Sequence, residues 1–520
     1  MDTIPSESLA RRSGVVTLLP LVLLQKMAYD YTTFSVVETL FAIECRRYTG
    51  NSPSDPACRQ SPVHDAVSKD VFICVGVTII SAILLSGLYS HHLDAGSLKR
   101  VMGVAAGIQF LGALWGLFTI SYQSLFNVPS VLIVPLLQGL GGGEIVLRAA
   151  TMVLAVDTPN TTRWSFNLAL ILVSQDISGL RELFARFEPR NSFVAALVCW
   201  IIYVFYLARF LREPPHATPP PATQTDLEDT RDNGGPDTEN PEPAADSGHS
   251  LLFGTLSIAT VDPFKLVFRR GSPTLFWIGA VVFIMPMAEY FFSLFATLSF
   301  LGYHIPHEGD AVFTISHLAA KEASLLFVLP ISAALYRHFR HRRNSTPDIV
   351  DHDAHGSPTE RTPLLPEEAQ LPIPETAGTS EPSPSQSQDI LSIYQDLFIT
   401  RACFFIIVLA SLFVLFSTTW RILVSSFIIY RLGAAFRPAI QSLVSQAVDR
   451  SHLGRILTLL VVVEALGSVS LNPYFPLFSE LFAIKVPTPI VVVSICTFVA
   501  CGVIMGFLRP TGFIRIGGNT

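Results

Sequence analysis

Long apolar runs constrain this chain more than any other feature of its sequence. A helix needs about 20 mostly apolar residues to cross a hydrocarbon core of about 30 Å. Only 15% of the residues are charged, whereas soluble proteins carry roughly a quarter. Twelve runs of sufficient length occur, near residues 15–42, 69–90, 101–121, 129–156, 163–185, 191–211, 274–301, 310–336, 397–418, 421–447, 456–481 and 487–508. The pattern predicts an all-α polytopic membrane protein with twelve transmembrane helices in two groups of six.

Basic residues indicate how these helices are oriented. They concentrate beside the even-numbered connections and the termini, where Lys99, Arg100, Arg212, Arg450 and Arg455 are examples. The excess of Lys and Arg on cytoplasmic loops therefore predicts that both termini lie in the cytoplasm. The same bias holds despite basic clusters in the first and fifth connections.

Two polar segments interrupt the apolar pattern. Residues 213–250 are acidic, rich in Pro and free of aromatic residues, and residues 338–390 have a similar composition. Such composition predicts disorder. The sequence therefore predicts the following organisation: 1–14 cytoplasmic N-terminus, 15–212 first six-helix bundle, 213–270 cytoplasmic disordered linker, 271–337 helices 7 and 8, 338–392 cytoplasmic disordered loop, 393–509 helices 9 to 12, and 510–520 cytoplasmic tail.

An internal repeat relates the two groups of six. Leu140, Gly141, Ala155, Val156, Asp157 and Arg163 recur as Leu432, Gly433, Ala447, Val448, Asp449 and Arg455, always 292 residues later. Matches of small and apolar residues are common in membrane helices, but an Asp and an Arg at one fixed spacing are not. The repeat predicts two parallel halves related by an axis along the membrane normal.

Several stretches resemble one branch of the major facilitator superfamily, common in fungi and distantly similar to proton-coupled folate-type transporters. They are AIECRRYTG after span one, LLQGLGGGEIVLRAA and AVDTPNTTRW in span four, FLREPP, DLFITRA, and IIYRLGAAFRPAIQSLVSQAVDRSHLGRILTLLVVVEALGS in spans ten and eleven. The loop GLYSHHLDAGSLKR departs from the family pattern, because His91 and His92 occupy the usual Asp-Arg positions. This departure puts in doubt the charge pairing that latches one conformation.

The resemblance implies that spans one, four, seven and ten line a central cavity. Ionisable residues near mid-depth of those spans are the candidate binding set for substrate and protons, because a charge inside the membrane is costly unless it is paired or hydrated. They are Lys26, Asp30, Glu144, Arg148, Glu289, Arg431 and Arg437. Four positive and three negative charges would suit an anionic substrate. The Lys26–Asp30 and Glu144–Arg148 pairs, at i,i+4 spacing, could instead be purely structural.

Glu289 and Glu144 are the predicted proton carriers. Glu289 has no basic residue one turn away, whereas Asp30 beside Lys26 is expected to stay ionised. A second set at the helix ends, made of Asp157, Arg163, Asp449 and Arg455, is predicted to act in gating or structure. Glu464 is interpreted as a packing or gating residue, and the group around Lys321 and Glu322 as a hydrated vestibule or a proton relay.

Two of the cysteines are placed to form a disulfide. Cys45 and Cys58 flank a polar loop, where a disulfide is allowed if the loop faces outside; two free thiols are the alternative.

Other motifs suggest few partners besides the solute and the membrane. The sequence shows no metal-ligand spacing, no cofactor motif and no basic patch typical of nucleic-acid binding. Glu360 to Leu365 resembles an acidic dileucine signal for vesicle-sorting adaptors, so the expected location is the plasma membrane or a vacuolar or endosomal membrane.

The resulting hypothesis is a proton-coupled secondary transporter of a small organic solute, with efflux of a metabolite or xenobiotic slightly preferred. Two rivals remain open: an uptake symporter for an organic anion, and a non-transporting sensor that kept the fold. An enzyme is disfavoured, because the sequence contains no phosphate-binding loop, no metal-spaced His/Glu cluster and no GxSxG motif.

Overall fold

The computed structural model describes most of the apolar chain. Its described residues are 17–50, 58, 61–122, 125–157, 164–177, 188–211, 273–302, 316, 318–344, 384–417, 419–448, 450–470, 488–510 and 513. The predicted linker at 213–270 and the Glu360–Leu365 motif lie outside these residues.

Within the residues that the structure describes, twelve helical segments follow one another in two groups of six. Those of the first half are α1 Leu19–Thr49, α2 Ser61–Asp94, α3 Leu98–Ser121, α4 Val128–Val156, α5 Trp164–Ile177 and α6 Pro189–Phe210. Those of the second half are α7 Pro273–Gly302, α8 Leu318–Tyr336, α9 Pro384–Leu415, α10 Trp420–Ala447, α11 Leu453–Ser470 and α12 Thr488–Phe507. The chain therefore has the predicted all-α, twelve-helix architecture.

Length and composition qualify most of these helices to span a bilayer. Within the described residues, nine are long and apolar enough to cross a membrane. Among the other three, α5 has 14 described residues, and the apolar part of α12 is 17 residues or shorter. The 31-residue α1 contains Lys26, Asp30, Glu38 and Glu44. In lipid these charges require partners inside the protein.

The polar segment predicted at 338–392 is shorter in the structure. Helix continues from α8 through Leu329–Asn344, and α9 already begins at Pro384. Apolar runs mark only the part of a helix inside hydrocarbon, whereas the backbone ladder can continue into water. The predicted bounds were therefore too tight on both sides of the loop.

Equivalent breaks divide α4 and α10. In α4, helix Ile133–Leu140 ends before Gly141, and Gly142 and Gly143 have φ values of 77° and 57°, which favour glycine. In α10, a 3₁₀ turn at Gly433–Ala435 occupies the same place. Gly141 and Gly433 are the repeat positions 292 residues apart, so the repeat places one break in each half.

The helices pack as two bundles with a defined interface. In the first half α6 packs on α1 and α3, and in the second half α12 packs on α7 and α9. The halves meet where α11 contacts α2 and α4, and where α5 contacts α8 and α10. The contacts involve the later part of α4, Gly143–Val156, and the later part of α10, Phe436–Ala447. The halves are therefore joined toward the end that the basic residues assign to the cytoplasm.

A disulfide lies at the opposite end of the first half. Cys45, near the end of α1, is bonded to Cys58, with 5.2 Å between their Cα atoms. Both residues are fully buried and pack against Val63 and Val67 of α2. The bond ties the end of α1 to the start of α2.

Candidate functional site

Three charged residues form a first group between α1 and α4 of the first half. Lys26 of α1 lies 3.0 Å from Asp30 on the same helix and 3.2 Å from Glu144 on α4. Its ammonium group also lies 5.6 Å from the ring centre of Tyr29. One cation here faces two carboxylates, so this Lys26 group carries a formal charge of minus one.

A second group crosses from one half to the other. Arg148 of α4 lies 3.0 Å from Glu464 of α11, and Arg437 of α10 lies 3.0 Å from another oxygen of the same carboxylate. Arg437 also pairs with Glu289 of α7. These four residues, here called the inter-half network, alternate in charge and sum to zero. The network places a carboxylate between two guanidinium groups from different halves.

Six of the seven predicted cavity residues thus enter these two groups. Lys26, Asp30 and Glu144 are brought together, and so are Arg148, Glu289 and Arg437. Arg431 lies beside them in sequence, with its guanidinium 5.8 Å from the ring centre of Tyr430.

The alternative in which Glu144 and Arg148 pair with each other along α4 is not what the structure shows. Glu144 turns to Lys26 and Arg148 turns to Glu464. Spacing along one helix reveals only neighbours on that helix, so the competing partners on α1 and α11 could not be seen in the sequence.

The reason given for Glu289 as proton carrier also fails. Glu289 has no basic neighbour on its own helix, but Arg437 reaches it from α10. The predicted excess of positive charge disappears as well, because Glu464 adds a fourth negative charge to the set. Its position in span eleven, outside the four spans expected to line the cavity, is why the sequence placed it elsewhere.

A third pair joins the halves through α5 and α8. Lys321 of α8 lies 2.6 Å from Asp176 of α5, and Glu322 adjoins the same aspartate. The charges of Arg437, Arg431 and Glu464 also act on Lys321. The group that the sequence assigned to an outer vestibule therefore borders the inter-half network.

A small cavity lies against the inter-half network. It holds about 20 Å³, room for about one water molecule. Val282, Pro286, Arg437, Gln441 and Glu464 are among its lining residues. Pro286 has no N–H to donate to the carbonyl of Val282, four residues earlier. The cavity therefore lies between a proline inside α7 and the two charged side chains of Arg437 and Glu464.

The contacts at the predicted cytoplasmic end are built around Asp94. Its Oδ1 accepts hydrogen bonds from the backbone N–H groups of Gly454 and Arg455, at 2.7 and 3.3 Å, and its Oδ2 lies 2.9 Å from Arg455 Nε. His91 contacts the same guanidinium at 3.0 Å. The altered loop put in doubt the charge pairing at this end, but the structure contains such a pair. Its acidic member is Asp94, which lies three residues after His91, and its basic member is Arg455.

The remaining predicted gating residues are only partly described. Asp157 follows α4, where partial burial raises its pKa and the charge of Arg450, from the other half, lowers it. Arg163 and Asp449 lie outside the described residues. Of the four predicted gating positions, Asp157 and Arg455 therefore lie where the two halves meet.

Comparisons with known proteins identify the fold. No family model and no curated protein matches the sequence. Among solved structures, the human organic anion transporter MFSD10 has a TM-score of 0.58 at 12% identity, with 95% of this chain and 99% of that chain covered. A bacterial homologue of the iron transporter ferroportin, in an outward-facing state, has a TM-score of 0.56 at 12% identity over 97% and 99%. The proton:xylose symporter XylE has a TM-score of 0.54 at 13% identity over 96% and 97%. The chain has the fold of the major facilitator superfamily.

Proposed function

We propose that this protein is a secondary active transporter of a small organic solute, coupled to protons. The inter-half network carries the proposal, because it holds compensated charges at the contact between two bundles that must move apart during alternating access. Ionisable residues inside a membrane are retained where they bind ions, protons or substrate. The transporter structures that share the fold support the same class of function.

Glu144 and Glu289 are the proposed proton carriers. Each of these glutamates pairs with a single cation, and that cation also pairs with a second carboxylate. When the glutamate is protonated, the cation therefore still has one negative partner. Lys26 would keep Asp30, and Arg437 would keep Glu464. Protonating Glu464 instead would leave two guanidinium groups facing each other, which costs several kcal/mol in a buried site.

An organic anion is the substrate class that the charge balance favours. With Glu289 protonated, the inter-half network changes from neutral to plus one, so a carboxylate or phosphate on the solute could pair with Arg437. Arg side chains bind such groups through two parallel hydrogen bonds. Proton and anion would then enter the site together, the arrangement of a symporter. One protein of this fold is itself described as an organic anion transporter.

The direction of transport and the membrane are secondary proposals. The sequence slightly favours efflux of a metabolite or xenobiotic, and the charge balance supports uptake as the alternative. The predicted adaptor signal at Glu360–Leu365 would address the protein to an endosomal or vacuolar membrane, and the plasma membrane with an inert loop is the alternative. The narrower resemblance to fungal and folate-type transporters stays a prediction.

Solute-induced proton flux in vesicles containing the purified protein tests the proposal. Organic anions and neutral planar compounds are screened with wild type, Glu289→Gln and Glu144→Gln, and Glu38→Gln on α1 serves as a charge-removal control. We expect flux with an organic anion that is lost in Glu289→Gln and kept in the control. Flux lost only in Glu144→Gln would move the proton to the Lys26 group. Folded protein without flux for any solute would favour a non-transporting sensor.

A further inference from the structure

An aspartate followed five positions later by a basic residue recurs near the third helix of each half. Asp94 and Lys99 precede and open α3, and Asp396 and Arg401 lie in α9, 302 residues later in both cases. Lys99 donates to two carbonyls at the end of α6, and Arg401 donates to three carbonyls at the end of α12. Each basic residue therefore binds carbonyl groups at the end of the last helix of its half, and the two aspartates occupy equivalent places in the sequence.

The environments of the two aspartates differ in charge. Asp94 reaches across to α11, where Arg455 and two backbone N–H groups compensate its carboxylate. Asp396 is only 2% exposed, and its Oδ2 accepts a hydrogen bond of 2.9 Å from the side-chain amide of Gln446. The hydroxyls of Ser442 and Ser165 also face its carboxyl group. Its partners are neutral.

Asp396 also joins the two halves. Gln446 and Ser442 belong to α10, whereas Ser165 belongs to the first turn of α5 in the other half. Gln446 is itself held by Ser392 of α9 through a hydrogen bond of 2.7 Å. The carboxyl group therefore lies where α9, α10 and α5 come together at the contact between the halves.

The charged groups on the surrounding helices are engaged elsewhere. Arg401 binds the end of α12, Arg437 binds Glu289 and Glu464, and Asp176 binds Lys321. Among the described residues, no Lys, Arg or His pairs with Asp396. Arg163, which precedes α5, lies outside them and enters the test below.

We infer that Asp396 is a proton-binding site shared by the two halves, separate from the central charges. A buried carboxylate without a cation gains less from ionisation than one that is paired, so it takes up a proton more readily than Asp94 does. Hydrogen bonds to an ionised acceptor are about twice as strong as those between neutral groups. Proton uptake therefore weakens the hold on Ser165 and loosens α5 from α9 and α10.

Infrared difference spectroscopy and spin-label distances test this inference without any solute, so its failure is independent of transport. The full-length protein carries Cys496→Ser, which removes an exposed free cysteine, and labels at the exposed positions His92 and Tyr394, one in each half. Between about pH 8 and about pH 5, we expect a protonated-carboxyl band to appear and the label distance to lengthen. Asp396→Asn should lack that band and show the longer distance at both pH values.

Matched variants decide between the two aspartates and their partners. Asp94→Asn should keep the pH-dependent band and the pH-dependent step in distance. Gln446→Leu removes a donor to the ionised form, so the midpoint should rise by about one pH unit. A band and a step that persist in Asp396→Asn would overturn the inference. So would a midpoint that moves further in Arg163→Gln than in Gln446→Leu, because a cation would then be the main partner.

Discussion

At the scale of single residues, Glu464 is the carboxylate that compensates two guanidinium groups from different halves. Its side chain is 14% exposed, and its carboxylate pairs with Arg148 in one half and Arg437 in the other. A carboxylate that satisfies two guanidinium groups cannot be neutralised without leaving positive charge unpaired. Glu464 therefore stabilises the joined state of the halves more than any end member of the network does.

Replacing Glu464 with Gln should destabilise the protein by about 3 kcal/mol, because one buried positive charge loses its compensation. The measurement is thermal unfolding in detergent, with Glu144→Gln as the matched control, since Lys26 keeps Asp30 there. The double variant Arg148→Gln/Glu464→Gln should cost less than the two single changes added together. Equal stability of Glu464→Gln and the control would contradict the assignment.

The contacts of individual charged residues are the feature that the sequence predicts least well. It identified Lys26, Asp30 and Glu144 as one neighbourhood, because intramembrane charges are rare and conspicuous. It missed the role of Glu464 and the partner of Glu289, because both depend on contacts between helices far apart in the chain. Asp94 carried a usable signal, since it stands 302 residues before Asp396 and each of the two is followed five positions later by a basic residue.

At the scale of elements, close approach of helices depends on a few glycines. A Cβ atom at Gly467 of α11 would lie 2.1 Å from the carbonyl oxygen of Phe283 on α7. A backbone carbonyl cannot move aside as a flexible side chain can. The close approach of α7 and α11 therefore requires glycine at position 467. Glu289 and Glu464 lie on these two helices and share Arg437, so the same approach positions the inter-half network.

Substituting Gly467 with Ala should force α7 and α11 apart and cost about 1–3 kcal/mol, the range for overpacking a well-packed site. Proton flux should fall with stability, because the partners of Arg437 move. The control is Gly279→Ala on α7, where a new Cβ meets no atom within 4 Å. If the two variants unfold at the same temperature, the contact with Phe283 does not limit the packing of α11.

At the scale of the whole molecule, the number of helices and their division into two halves follow from physical rules that the sequence displays directly. Hydrocarbon thickness sets the length of the runs, and the repeat of 292 residues reveals the parallel halves. The sequence could not show which helices join the halves. Those contacts, between α11 and α2 or α4 and between α5 and α8 or α10, follow from three-dimensional packing of small and polar residues.

Orientation in the membrane gives the last prediction. Helix α2 begins near the Cys45–Cys58 disulfide and ends at Asp94, so its 34 residues separate the two by about 50 Å. The positive-inside bias assigns the Asp94 end to the cytoplasm. In intact cells that carry the protein at the plasma membrane, a cysteine introduced at the exposed position Tyr48, beside the buried disulfide, should therefore react with a membrane-impermeant maleimide.

A single cysteine introduced at the exposed position Ala95, in a background with Cys45, Cys58 and Cys496 replaced by Ser, is the control for the other end. It should react with an impermeant maleimide only after the membrane is permeabilised. Labelling of Ala95→Cys in sealed cells would reverse the orientation. It would also assign Asp94, Arg455 and Asp396 to the outer gate, so that their release would admit solute from outside and the external pH would control it.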